Sequence, residues 1–169
     1  MTKCIVAATL NAVIFFGCCV SAMAGEDFSR EEKLLLWTVG DWAFTLGERS
    51  GERTIRVEFP SHLVYYSESF SGTDIRGSGF IGFSPEKNNF YSFAAHSIPG
   101  EFSLMHGSLD AKEDKIVYLP QDGNSKRPYE VVWQKVSEDQ FSSTFYYLAD
   151  DGQRERQWVA MFTRVTADD

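Results

Sequence analysis

The chain has 169 residues, of which 16 are basic and 24 acidic for a net charge of −8, with 15% aromatic side chains and three cysteines. That length suits one domain behind a leader, and so acidic a balance argues against nucleic acid or anionic lipid as the main partner. Beyond the first 24 residues there is no P-loop, dinucleotide fingerprint, Ser-His-Asp order or cysteine nucleophile, which disfavours hydrolysis by a recognised motif.

Met1-Thr2-Lys3 precedes a largely apolar run from Cys4 to Val20, then Ser21-Ala22-Met23-Ala24 before the acidic Gly25-Glu26-Asp27. A short basic region, an apolar segment and an A-x-A site read as a signal peptide cleaved after Ala24. A spanning helix needs about 20 apolar residues, and Asn11 and Gly17 interrupt this run. Lipidation of Cys18, which follows Gly17, is the competing reading, and Phe15 and Phe16 fit it badly. Residues 1–24 are therefore expected to be removed and 25–169 to form a single periplasmic or secreted domain, with no stable membrane insertion. Cys4, Cys18 and Cys19 all leave with the leader, so no disulfide staples the mature fold and its core must supply the stability.

Ser29-Arg30-Glu31-Glu32 has capping-box spacing and predicts a short helix over 30–37. After Gly40 the pattern becomes short segments rich in aromatic and β-branched residues, predicting strands over 41–47, 52–59, 62–70, 76–84, 88–95, 101–110, 114–120, 128–136, 140–148 and 153–164. The separators are turn chemistry, among them Arg49-Ser50-Gly51, Ser71-Gly72-Thr73-Asp74, Pro99-Gly100, Asp122-Gly123-Asn124 and Asp150-Asp151-Gly152. About ten antiparallel strands joined this way form a meander, and closing it into a barrel removes both free edges. The expected fold class is thus an all-β, closed up-and-down barrel with a short N-terminal helix; a two-sheet sandwich would need longer crossovers.

Alternation puts Val131 and Trp133 on one face of their strand; over 101–110 Phe102, Leu104 and Met105 compete for the core, with His106 on the side of Phe102 and Leu104, the face taken as inner. Gly77, Gly79 and Gly82 mark bends, close backbone approach, or bare backbone against which a ligand lies. His62, His96 and His106 lack the spacing of a metal site, although His96 and His106 are expected on neighbouring strands. Glu68 alternates with Tyr66 and Phe70. Facing inward, it would be a carboxylate with its pKa raised by desolvation and suited to general acid–base work; the plainer alternative has it facing water with Tyr65 inside. Arg154 and Arg156 continue into Trp158, Ala160 and Phe162, so an arginine could reach inward to an anionic headgroup, or form rim ion pairs with Asp150 or Asp151.

Leu35-Leu36-Trp37-Thr38-Val39-Gly40-Asp41-Trp42 opens the expected barrel with a Gly-x-Trp, and Phe162-Thr163-Arg164 closes it. With Arg76-Gly77-Ser78-Gly79-Phe80-Ile81-Gly82-Phe83-Ser84, Asn89-Phe90-Tyr91 and His106-Gly107-Ser108-Leu109-Asp110, the sequence resembles a bacterial domain-of-unknown-function family of lipocalin-like, nitrobindin-type ten-stranded barrels, over nearly all of the mature chain. The resemblance implies that Arg164 packs over Trp42. Haem-binding nitrobindins carry a longer Gly-x-Trp-x-Gly-x-Gly, whereas Ala43-Phe44-Thr45-Leu46 follows Trp42 here, so no cofactor is assigned. The related family tends to place Asp-Ser where this chain has His96-Ser97, so the role of that Asp does not carry over.

The expected function is binding of a small, largely apolar molecule inside the barrel, with Tyr66, Glu68, Phe83, Phe102, His106 and Arg156 as candidate pocket residues and no catalytic or metal-ligating residue assigned. The alternatives are a non-hydrolytic isomerase or cyclase using Glu68 and His106, and a structural or partner-binding barrel with a filled interior.

Overall fold

The computed structural model describes residues 28–59, 62–97, 102–110, 112–121 and 127–166; the expected leader and the expected turns at Pro99-Gly100 and Asp122-Gly123-Asn124 fall outside them. The helix α1, Arg30–Trp37, starts at the expected capping box: Ser29 Oγ accepts from Glu32 N at 3.2 Å, and the Glu32 carboxylate accepts from Ser29 N at 2.8 Å. Ten strands follow: β1 (Gly40–Leu46), β2 (Arg49–Phe59), β3 (Leu63–Phe70), β4 (Arg76–Ser84), β5 (Asn89–His96), β6 (Phe102–Asp110), β7 (Lys115–Pro120), β8 (Tyr129–Ser137), β9 (Gln140–Leu148) and β10 (Arg154–Arg164). Each pairs antiparallel with its neighbours in sequence, and β1 pairs with β10, so the sheet closes as the meander pattern requires.

The closing seam puts Trp42 opposite Arg164. The indole is fully buried and donates to Thr38 O at 2.8 Å, and the guanidinium lies 4.2 Å above the ring. Arg164 also donates to Val39 O and Trp37 O, both at 2.8 Å, tying the chain just after α1 to the last strand. Gly40 makes this possible. Its φ of +144° is a conformation other residues rarely adopt, and a Cβ there would meet Arg164 Nη1 at 2.6 Å. The glycine of Gly-x-Trp is therefore the space that the arginine occupies.

The barrel is filled at one end and hollow at the other. At the helix end Leu35, Trp42, Phe83, Phe90 and Phe141 are buried, with Phe141 meeting Trp42 edge-on at 4.8 Å. Away from the helix the inner faces of the strands diverge around a cavity. The outer face is itself apolar over β4 to β6, where Phe80, Phe93 and Phe102 are 40%, 41% and 63% exposed. Among the described residues no helix is long and apolar enough to cross a membrane.

Candidate functional site

The cavity holds about 460 Å³ and lies in the half of the barrel away from α1. That volume falls in the range of small-molecule sites, roughly 300–1,000 Å³. Its wall is largely aromatic: Tyr66, Tyr118, Trp133, Phe145 and Phe162 contribute rings, and Trp158 stacks on Phe145 with centroids 5.5 Å apart. Three strands bring a cluster of polar side chains into this apolar wall, whose further charged residue, Arg49 of β2, is exposed. Arg53 comes from the inner face of β2, which it shares with Gly51 and Ile55, and Glu68 stands opposite it on β3. Arg53 Nε donates to Glu68 Oε2 at 2.9 Å, Nη2 donates to the same oxygen, and His96 Nε2 from β5 lies 3.2 Å from Oε1. The guanidinium is sandwiched among rings, 4.4 Å from Phe162, 4.8 Å from Tyr66 and 5.4 Å from Trp133.

Two glycines of β4 make room for this arrangement. A Cβ at Gly77 would lie 2.5 Å from Glu68 Oε1, and one at Gly79 would lie 2.7 Å from Tyr66 Cε1. These positions are clearances under a carboxylate and a phenol. Bending is not needed to explain them. On β6, Gly107 does the same under the Tyr118 ring, where a Cβ would approach to 2.7 Å.

The electrostatics run opposite to the expectation for Glu68. Burial opposes ionisation, but the Arg53 cation and the hydrogen bonds from His96 and Arg53 outweigh it, holding the carboxyl at about 2. Both oxygens are engaged and the group is ionised at neutral pH, so it is not poised as a general acid. Burial pushes the Tyr66 phenol up to about 12 despite the nearby Arg53 charge, and pushes the Tyr118 phenol up further.

The structure brings two of the six candidate residues to the cavity wall, Tyr66 and Glu68. Phe83 is buried but sits in the packed end, against Phe90 at 5.0 Å. Phe102 and His106 are corrected to the outer face, because Met105 and Gly107 are the buried residues of β6. With aromatic residues on the outside as well, apolar alternation there selects the wrong parity. Arg156 is exposed: the bulge between Arg156 and Trp158 adds one residue and reverses the side on which the residues before it project. His96 and His106 lie on the neighbouring strands β5 and β6, as expected, but only His96 lines the cavity, and His106 pairs with Tyr91 on the outer face. Sequence reasoning passed over Arg53 and Tyr118. Arg53 did carry a signal, since it shares the parity of Gly51 and Ile55, whereas Glu52, Thr54 and Arg56 form the polar face. Among the described residues no group of three or more His, Cys, Asp or Glu side chains is placed to hold a metal.

No curated protein matches this chain in sequence. Several solved structures resemble its fold. Rv2717c from M. tuberculosis is 13% identical with a TM-score of 0.57, the match covering 83% of this chain and 100% of that one. The S-type phycobiliprotein lyase CPES from Guillardia theta is 12% identical with a TM-score of 0.52, covering 80% and 93% respectively. The sequence itself matches the model for "Protein of unknown function (DUF1579)" over residues 29–164, from the helix cap to the last barrel strand, and the chain belongs to that family.

Proposed function

We propose that this protein is an exported binder of one small, largely apolar molecule, held in the barrel cavity. The observation that carries the reading is the 460 Å³ cavity walled by aromatic rings in a barrel whose other end is filled. A barrel needing only stability has no reason to leave such a space, since an unfilled cavity costs roughly 24 cal/mol per Å³ in cores. The similarity to a phycobiliprotein lyase agrees with this at the level of fold.

A neutral apolar fluorophore tests it. N-phenyl-1-naphthylamine should bind saturably, one per chain, with enhanced fluorescence, and Ala94→Leu, which fills the wall between Ser92 and His96, should weaken binding about tenfold or more (~1.4 kcal/mol per factor of ten). Equal affinity of the two proteins would place the probe elsewhere and sink the reading. Export rests on Ala22-Met23-Ala24, and the intact mass of protein from its native host should begin at Gly25. A retained Met1, or a diacylglyceryl group on Cys18, would overturn that part.

A further inference from the structure

The aromatic wall accounts for an apolar ligand but not for two polar atoms buried in it. Arg53 spends Nε and Nη2 on Glu68, yet among the described residues its buried Nη1 has no acceptor and the buried Tyr118 hydroxyl has no partner. Both side chains line the same cavity, Arg53 from β2 and Tyr118 from β7. A buried donor left unpaired is destabilising, so such groups are rarely without a use. Glu68, the only carboxylate of the cavity wall among the described residues, has both oxygens occupied. The unspent hydrogen-bonding capacity at these two points therefore consists of N–H and O–H groups.

We infer that the ligand carries a neutral carbonyl oxygen at its buried end, accepting from Arg53 Nη1 and Tyr118 Oη while its apolar body lies against the rings. This rests on the cavity reading and adds the class of ligand. The guanidinium cannot lose its proton, and burial keeps the Tyr118 hydroxyl protonated, so both remain donors at any physiological pH. A ketone, ester or amide fits better than a carboxylate because the Arg53 charge is already balanced by Glu68, and Arg49, which also lines the cavity, is exposed and screened by water. A second anion would share a low-dielectric space with that carboxylate, in a chain that carries a net −8.

Three isosteric naphthalenes separate the possibilities by calorimetric titration: 2-acetylnaphthalene, its hydrocarbon counterpart 2-isopropenylnaphthalene, and 2-naphthoate. The ketone should bind about tenfold tighter than the hydrocarbon, the net worth of a hydrogen bond from a charged donor, and naphthoate should bind more weakly than the ketone. Tyr118→Phe removes only the unpaired hydroxyl. It should fold with undiminished stability, bind the hydrocarbon as before and lose several-fold of the preference for the ketone. Replacing the ion pair by apolar groups, Arg53→Met with Glu68→Leu, should abolish most of what preference remains. Equal binding of ketone and hydrocarbon, tightest binding of naphthoate, or an unchanged preference in Tyr118→Phe would each overturn the inference while leaving an apolar site standing. If neither the hydrocarbon nor N-phenyl-1-naphthylamine binds, the cavity reading fails and takes this one with it.

Discussion

Glu68→Gln should lower the stability of the barrel by about 3–5 kcal/mol, because it strands the Arg53 guanidinium inside without a counter-charge. The side chains of Arg53 and Glu68 are only 11% and 5% exposed, so water does little to screen the pair or to replace it. The three rings around Arg53 offset part of the loss, at about 0.5–2 kcal/mol for a cation over an aromatic face, which favours the lower end of the range. The double variant Arg53→Met with Glu68→Leu should recover most of it, since an apolar pair of similar volume carries no desolvation penalty. Equilibrium denaturation in urea measures all three. The same carboxylate sets an acid limit. Its folded pKa of about 2 lies below the ordinary 4.5, so its contribution is complete above about 4.5 and is lost as the pH falls from there through about 2. A depression of that size is worth about 3 kcal/mol. The native protein should therefore weaken over that window by roughly this much more than Glu68→Gln does. Parallel acid profiles for the two proteins would show that the pair contributes little.

Trp42→Ala should be comparably severe, at about 3–5 kcal/mol for loss of a fully buried indole. Its ring supports Phe141 and Trp37, its Nε1 holds Thr38 O, and its face carries Arg164, so the surroundings cannot collapse into the gap without breaking the seam. Arg164→Lys should lose about 2 kcal/mol. The ammonium keeps the charge but reaches at most one of the two carbonyls that the fork holds and gives up the planar stack. A double-mutant cycle between Trp42→Ala and Arg164→Lys should show a coupling of about 1 kcal/mol. Additive effects would mean that the stack seen in the seam carries no energy of its own.

The fold was legible because its signals are local. The capping box of Ser29 and Glu32 and the turn residues between apolar segments lie within a few positions of the structure they specify, and neighbouring strands pair by default. The long-range contact of Trp42 with Arg164 was not local, and it was implied only by the resemblance to lipocalin-like barrels. The cavity was only partly legible, for three physical reasons. On β6 both faces are apolar, so Phe102 and Leu104 pointed to the wrong side while Met105 and Gly107 went inward. On β10 a single extra residue at the bulge moved Arg156 outward. On β2 Arg53 was passed over, although an arginine can enter a core when a carboxylate stands opposite; Glu68 was a candidate, and the register that sets it against Arg53 is not a local property. The missing partner also explains why burial alone gave the wrong sign for the Glu68 pKa.

Closure of the seam also sets a timetable. Every strand pair but one joins consecutive strands, whereas β1 must wait for β10, and Arg164 meets Val39 across 125 positions of chain. Drawing ends so far apart together costs about 4 kcal/mol of loop entropy, and until it happens the growing sheet keeps two unpaired borders. At about 5–20 residues per second, a ribosome takes many seconds to deliver the strand that seals them. A half-made chain is thus an open sheet with a ready template on each side, and its exposure to strand exchange between chains ends only when β10 takes its place beside β1.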